Sequence, residues 1–170
     1  MSNASGPIAT VAEAVRELGT ASDVYGPTLN TTVSLSAVEL VGTALCEALR
    51  PYCPTTLAFW NSSDDSVLGH VVARELGASV VRADELAGIA ALSNEIAAGA
   101  RVALLATAWT NEKYLKALTA IVRKRSAEVV AVASVFESAG LRDLGVPAVC
   151  LLDADRRDAE GPATTSEAEA

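Results

Sequence analysis

Two short polar segments of the sequence carry residues that could bind a ligand. The first comprises Asn61, Ser62, Ser63, Asp64 and Asp65. Its hydroxyl and amide groups can donate hydrogen bonds to an anion, whereas its two adjacent carboxylates repel an anion and could hold a divalent cation. A solvated helix cap is the alternative interpretation of this acid pair, and it is the one we favour.

The second polar segment follows a short apolar run. It comprises Thr107, Ala108, Trp109, Thr110, Asn111, Glu112 and Lys113. This segment is a polar turn that leads into a helix, whose first backbone N–H groups are free to bind a ligand. Trp109 could stack on a planar ligand, although packing in the core is the interpretation we favour.

Other chemically reactive residues are few. His70 is the single histidine, and it falls within a helical pattern where we interpret it as structural. The three cysteines, Cys46, Cys53 and Cys150, are scattered without the spacing of a metal site. We therefore expect buried reduced thiols, no metal site and no catalytic residue of the cysteine–histidine type.

The second polar segment is positioned by a predicted strand and a predicted helix. Residues 102–106 form an apolar run that predicts a strand buried on both faces. Residues 112–125 place apolar side chains on one face of a helix. In open α/β sheets, ligands bind where such a strand ends and such a helix begins. A function is therefore first sought at this turn.

The rest of the chain alternates between strand and helix patterns. Further strands are predicted at 56–60, 78–82, 127–136 and 148–152, and helices at 11–18, 67–76, 86–98 and from a capping serine at Ser36 to residue 49. This alternation predicts an α/β fold with a mostly parallel central sheet and helices on both faces. Residues 1–10 are expected to form a flexible leader, 11–152 one domain and 153–170 a disordered tail.

Composition excludes several classes of partner. The chain has 170 residues, of which 13 are Lys or Arg and 21 are Asp or Glu, giving a net charge of −8. An acidic surface repels phosphate backbones, so we expect no nucleic-acid partner. The sequence has no apolar run of the length that crosses a bilayer and no secretory leader pattern. We therefore expect a cytoplasmic protein without a membrane partner.

Several segments, in order, resemble the type I phosphoribosyltransferases. RVALLATAWTNEKYL at 101–115 resembles the family's signature of a strand, two acids and a phosphate loop that opens a helix. VARELG at 72–77 resembles the helix after the pyrophosphate loop, and Arg82 resembles the arginine that ends a strand in orotate phosphoribosyltransferases. Residues 25–35 resemble the amino-terminal hood of the orotate enzymes. The resemblance spans roughly 11–152 and implies the family's fold and a homodimer.

The departures from the family pattern concern its ligand-binding groups. Ala106 and Thr107 stand where the resemblance places two acids that bind the ribose hydroxyls of phosphoribosyl pyrophosphate. Glu112 and Lys113 stand where small residues of the phosphate loop are implied, and Glu112 puts a negative charge beside a docking anion. The segment 61–65 lacks a cation at the pyrophosphate-loop position, and residues 83–85 lack the lysine that the resemblance implies after Arg82.

These departures predict a phosphoribosyltransferase-like domain that has lost catalysis and acts as a binding or regulatory module. Two alternatives stay open: an active but divergent phosphoribosyltransferase of orotate or nucleobase type, and a structural partner subunit. No cofactor is predicted, and magnesium is implied only for an active enzyme. A small phosphorylated ligand is a possible partner under the first two hypotheses, which a binding measurement distinguishes from the third.

Overall fold

The computed structural model describes residues 10–141 and 144–153. Its elements, in chain order, are α1 (Val11–Leu18), β1 (Thr20–Asp23), β2 (Gly26–Leu29), α2 (Leu35–Leu49), β3 (Thr56–Trp60), α3 (Ser63–Leu76), β4 (Ser79–Leu86), β5 (Ile89–Leu92), β6 (Arg101–Ala106), α4 (Glu112–Lys124), β7 (Glu128–Phe136) and β8 (Ala148–Leu152). Of the expected leader, only Thr10 is among the described residues, and of the expected tail, only Asp153. The rest of both segments lies outside the described residues.

Six strands form the central sheet, in the order β5-β4-β3-β6-β7-β8. The pairs β3–β4, β3–β6, β6–β7 and β7–β8 are parallel, and only the pairing of β4 with β5 is antiparallel. The predicted strands at 56–60, 102–106 and 148–152 are confirmed, and those at 78–82 and 127–136 are confirmed with shifted ends. The predicted α/β class and mostly parallel sheet are therefore confirmed.

Helices cover both faces of this sheet. Alternate residues of β6 point to opposite sides: Ala103 and Leu105 pack with α1, α2 and α3, whereas Val102 and Leu104 pack with α4. A strand covered on both faces must be apolar at every position, which is why β6 appears in the sequence as a continuous apolar run. The same requirement explains β3, all five of whose residues are buried.

Two helix starts differ from the sequence prediction. The cap of α2 is Ser34, whose hydroxyl accepts a hydrogen bond from the Ala37 N–H, so the predicted cap at Ser36 is wrong. The helix α3 begins at Ser63, four residues before the predicted start at Val67. Its first turn is polar and has no apolar periodicity, so only the capping interaction of Ser62 with the Asp65 N–H marks where it begins.

The predicted helix at 86–98 is wrong. Here β4 continues to Leu86 and turns back through Ala87 and Gly88 into β5. Both turn residues have positive φ, 51° and 78°, which is the backbone that joins two strands through a two-residue turn. Ala, Leu and Glu at these positions favour a helix locally, but antiparallel pairing with β4 determines the structure.

The packing of α3 on the sheet leaves no room for a side chain at Gly69. A Cβ at this position would overlap three atoms of the Phe59 ring, which is itself buried and cannot move aside. A glycine inside a helix normally reduces stability, so close approach of the helix to β3 is the reason for it. In the described part of the chain, no helix is long and apolar enough to cross a bilayer.

We predict that Gly69→Ala destabilises the protein by about 1–3 kcal/mol, because the added methyl group overpacks the contact between α3 and β3. The measurement is the free energy of unfolding in urea. His70→Ala, at the exposed neighbouring position, serves as the control and should change stability by no more than about 0.5 kcal/mol. Equal stabilities of the two variants would contradict the proposed close contact.

Candidate functional site

The two polar segments meet at one edge of the sheet. The chain runs from β3 to β4 on one side and later returns to β6 on the other side of β3. The carboxyl ends of β3 and β6 are therefore the point where the strand order reverses, which is where open α/β sheets bind ligands. Residues 61–65 follow β3 and residues 107–113 follow β6, so the sequence-predicted site segments are brought together.

A buried carboxylate joins the two segments. The Oδ1 atom of Asp65 accepts hydrogen bonds from the Thr107 N–H at 3.1 Å and from the Thr107 hydroxyl at 2.6 Å. Burial raises the pKa of Asp65 to about 6; the hydrogen bonds from Thr107 lower it, and the nearby Asp23 and Asp64 carboxylates raise it. Thr107 is thus a donor to the protein itself rather than a free group at the edge.

The neighbouring Asp64 also bonds within the protein. It accepts from the Thr31 N–H at 2.9 Å, the Thr31 hydroxyl at 2.6 Å and the Thr28 hydroxyl at 3.3 Å. Asp64 therefore anchors the segment that follows α1 to the start of α3. The favoured interpretation of a solvated acid cap is wrong for Asp65, because its carboxylate is buried and bonded to Thr107.

The remaining residues after β3 are also engaged. Ser62 caps α3, and the Asn61 amide donates to Asp84 Oδ1 at 3.0 Å. Because α3 begins at Ser63, only Asn61 and Ser62 lie between strand and helix, and the last three residues of the segment 61–65 belong to the first turn of α3. Arg82 is exposed within β4 rather than at its end, since β4 runs on to Leu86.

The segment after β6 is half buried and half exposed. Thr107, Ala108 and Trp109 are buried, and the Trp109 indole donates to the carbonyl of Ala133 at 3.1 Å. Trp109 is therefore a packing residue, as favoured from the sequence. Thr110 and Asn111 are exposed, and the Asn111 side chain caps α4 by accepting from the Lys113 N–H.

The charged residues at the start of α4 form ion pairs. Glu112 pairs with Lys116 at 2.7 Å, and Lys113 pairs with both carboxylate oxygens of Glu85 at 3.1 Å. The Glu85 carboxylate raises the pKa of Lys113, which holds this lysine in its charged form. The positive charge of Lys113 is therefore already matched by a carboxylate of the protein.

Three aromatic rings contact one another beside the carboxyl end of β3. Tyr25 stacks on Trp60 with ring centroids 5.0 Å apart and planes 25° apart, and Tyr114 contacts both rings edge-on at 5.2 and 5.0 Å. The Trp60 indole donates to the Tyr114 carbonyl at 3.1 Å, and the Tyr25 hydroxyl accepts from the Glu85 N–H at 3.1 Å. Tyr25, the first residue of the segment that resembles the hood, therefore contacts the last residue of β3.

Sequence reasoning missed this aromatic cluster. Tyr25, Trp60 and Tyr114 are far apart in the chain, and each falls in a segment interpreted for other reasons. The only signal in the sequence was the small number of aromatic residues, two tryptophans, three tyrosines and two phenylalanines, which made each ring worth following.

No group of three or more His, Cys, Asp or Glu side chains able to hold a metal occurs among residues 10–141 and 144–153.

Solved structures of phosphoribosyltransferases are similar to this chain. Adenine phosphoribosyltransferase from Leishmania tarentolae matches with a TM-score of 0.65 at 16% identity, covering 87% of this chain and 89% of that one. Orotate phosphoribosyltransferase from Mycobacterium tuberculosis matches with a TM-score of 0.65 at 20% identity, covering 86% of this chain and 88% of that one. A phosphoribosyltransferase from Corynebacterium diphtheriae matches with a TM-score of 0.64 at 22% identity, covering 86% of this chain and 95% of that one. No family model and no curated protein sequence matches the chain.

The burial of Asp65 predicts a characteristic dependence of stability on pH. Because its folded pKa of about 6 exceeds the ordinary 3.8, the fold retains a proton that the unfolded chain releases. The free energy of unfolding should therefore fall as the pH rises from 3.8 to about 6. The contribution of Asp65 to this fall is up to about 3 kcal/mol. Asp65→Asn keeps an acceptor for Thr107 and removes the ionisation, so it should be more stable than the native protein above pH 6.

Urea unfolding of both proteins at pH 4.5 and pH 7.5 provides the measurement. The stability difference between Asp65→Asn and the native protein should be larger at the higher pH. A difference that is the same at both values would show that Asp65 does not titrate in this window. Thr107→Val serves as the control for the hydrogen bond: it removes the hydroxyl donor at nearly constant shape and should cost about 1.5–3 kcal/mol at pH 7.5.

Proposed function

We propose that this chain is a phosphoribosyltransferase-fold domain without transfer activity, acting as a binding or regulatory module. The observation that carries the proposal is that polar groups at the carboxyl ends of β3 and β6 are bonded within the protein. Asp65 accepts two hydrogen bonds from Thr107, and Lys113 pairs with Glu85. Ligands of such sheets bind outside the carboxyl ends of the strands, so the groups that a ligand would use there are already engaged.

The groups that would hold a ribose are also missing. The resemblance implies two acids at Ala106 and Thr107, where acids would accept hydrogen bonds from sugar hydroxyls. The methyl group of Ala106 cannot accept, and the Thr107 hydroxyl is already bonded to Asp65. Chemistry that passes through a positively charged ribosyl state depends on holding the sugar in place. These substitutions support loss of transfer.

Charge at the edge supports the same conclusion. A departing pyrophosphate requires cations or N–H donors aimed at the developing negative charge, and removing one such donor typically costs about 10²–10³ in rate. The segment 61–65 contributes two carboxylates and no cation, and Lys113 is paired with Glu85. Adenine phosphoribosyltransferase from Trypanosoma brucei has been crystallised in complex with AMP, pyrophosphate and ribose-5-phosphate, all of which are anions. An anion of this kind would be repelled here.

We predict no magnesium-dependent binding of phosphoribosyl pyrophosphate by the native protein and no pyrophosphate release with adenine or orotate. Isothermal titration calorimetry and a pyrophosphate-release assay measure the two quantities. Binding in the micromolar range accompanied by pyrophosphate release would establish the active, divergent enzyme instead. Binding without release would contradict the predicted lack of binding and would support a module that recognises a phosphorylated ligand, which the sequence leaves as a possible partner.

A restored variant identifies which substitutions matter. It combines Ala106→Asp and Thr107→Asp with Glu112→Gly and Lys113→Gly. The structure adds Asp65→Asn, because a second carboxylate at position 107 would face the buried Asp65. The matched control carries Asp65→Asn alone. Binding of phosphoribosyl pyrophosphate by the restored variant but not by the control would assign the loss to the phosphate-loop and acid positions.

A homodimer forms part of the proposal, because the resemblance to orotate phosphoribosyltransferases implies one. Several large apolar side chains are exposed on the single chain: Val24, Val33, Leu35, Val67, Leu86 and Ile89. Exposed apolar groups of this kind favour association. Sedimentation velocity at micromolar concentration should give twice the 17.4 kDa chain mass. If sedimentation shows only a monomer of 17.4 kDa, the homodimer is contradicted. The same result would contradict a structural role in which the chain associates with a second copy of itself.

A further inference from the structure

Two large aliphatic side chains form the tip of the β4–β5 hairpin. The last residue of β4 that pairs with β3 is Ala83, so the final three residues of β4 pair only with β5 and extend beyond the end of β3. Leu86 and Ile89 face each other across the turn and are 64% and 72% exposed. Turns are usually built from polar residues, glycine and proline. Folding of the single chain therefore leaves an apolar knob, which consists of Leu86 and Ile89.

The knob is attached to the body of the domain by the residue beside it. The Glu85 carboxylate pairs with Lys113 of α4, and the Glu85 N–H donates to the Tyr25 hydroxyl. These contacts hold the end of β4 from both its side chain and its backbone. A surface that is already ordered before binding loses less conformational entropy when a partner covers it.

The knob points to the side of the sheet on which α2 and α3 lie. Val81 and Ala83 of β4 pack with α4, whereas Val80 packs with the cluster that contains α2 and α3. Side chains alternate along a strand, so Leu86 points to the same side as Val80. Its cross-strand partner Ile89 points to that side as well.

A groove of about 320 Å³ lies between α2 and α3. Its apolar walls are formed by Leu35, Val38, Val67 and Val71, of which Leu35 is 77% and Val67 is 42% exposed. One turn further along α2 the two helices approach closely, because a Cβ at Gly42 would overlap Val71. The groove is therefore bounded at this end and accessible beside the first turns of both helices.

The size and charge of the groove fit the knob. An enclosed cavity of about 150 Å³ holds a benzene molecule, which is larger than the side chain of leucine or isoleucine. A groove of roughly twice this volume accommodates both side chains of the knob. The carboxylate at its rim, Glu39, pairs with Arg74, so its charge is already matched.

We propose that the groove between α2 and α3 receives the knob of a second copy of this chain. Two such contacts, related by a two-fold axis, would then hold a homodimer. The inference rests on the homodimer of the proposed function, and it names the interface of that dimer.

The distribution of exposed apolar residues favours a second copy as the occupant. Among the described residues, six large apolar side chains are exposed, and four of them belong to the knob or to the groove: Leu35, Val67, Leu86 and Ile89. A two-fold interface requires a surface that is complementary to itself. This chain carries both complementary parts on the same side of its sheet, so one symmetric association covers most of these exposed groups.

Two charged variants test the interface. Ile89→Lys puts a charge on the knob and Leu35→Glu puts one in the groove. Each should raise the dissociation constant of the dimer at least roughly hundredfold, because each substitution occurs twice in the dimer. Lysine suits an edge strand and an acid suits the first turn of a helix, so both variants should fold, which circular dichroism verifies.

Val24 provides the matched controls, because it is 78% exposed and lies outside both surfaces. Val24→Lys and Val24→Glu introduce the same charges and should change the dissociation constant by no more than roughly threefold. Weakening by these controls as strong as that by Ile89→Lys and Leu35→Glu would overturn the proposed interface.

Mixing the two interface variants tests whether the knob of one copy meets the groove of the other. In the mixed dimer one contact is native on both sides, and at the other contact the lysine of one variant meets the glutamate of the other. Sedimentation velocity of the equimolar mixture should therefore show a species of twice 17.4 kDa, at a concentration at which each variant alone sediments as one chain. A mixture that stays monomeric would overturn the pairing.

The remaining outcomes separate this inference from the proposed function. A native dimer that survives both Ile89→Lys and Leu35→Glu would overturn the interface and leave the homodimer in place. A native protein that stays monomeric would overturn both. A native species whose mass keeps rising with concentration would show an open chain of copies and overturn the two-fold pairing. Pyrophosphate release by a dimer that the two variants dissociate would refute the loss of catalysis and leave the interface supported.

Discussion

The contact between the Asp65 carboxylate and Thr107 is the interaction on which the carboxyl edge of the sheet depends. A buried carboxylate loses its hydration, and this cost is offset only when donors replace the lost water. Thr107 supplies two donors, from its backbone and its hydroxyl. Its carbonyl in turn accepts from the N–H groups of Val135 and Phe136 in β7. One residue thereby ties the start of α3 to the ends of two neighbouring strands.

This arrangement reverses the usual use of a strand end. In an open α/β sheet the polar groups beyond the strands face outward and serve a ligand. Here the groups at the same positions satisfy one another: Asp64 holds the hairpin segment, Asn61 bonds Asp84, and Lys113 pairs with Glu85. An edge whose donors and acceptors are already paired gains less from a polar ligand, because binding must first break internal hydrogen bonds.

The aromatic cluster adds a second kind of closure. Stacked and edge-on rings gain from contact with one another and from burial of apolar area, without requiring charge. Tyr25 contributes its ring from the turn between β1 and β2, whereas the other two rings lie on a central strand and on a packed helix. The ring contacts therefore join the hairpin to the body of the domain.

The sequence by itself determined the architecture. Strands such as Thr56–Trp60 and Arg101–Ala106 are covered on both faces, so their continuous apolar runs could be located without a structure. Local patterns did less well at 86–98, where helix-forming residues instead pair as β5 with a neighbouring strand. They also missed the start of α3, whose first turn is polar.

Only the tertiary structure decided what the polar residues do. Asp65 and Thr107 are 42 positions apart, and Tyr25 is further still from Tyr114 in the chain. Hydrogen bonds and ring contacts over such separations follow from strand order and helix placement, which no local pattern encodes. The sequence could therefore show which polar groups stand near a strand end. Whether those groups face a ligand or one another depends on how the elements pack.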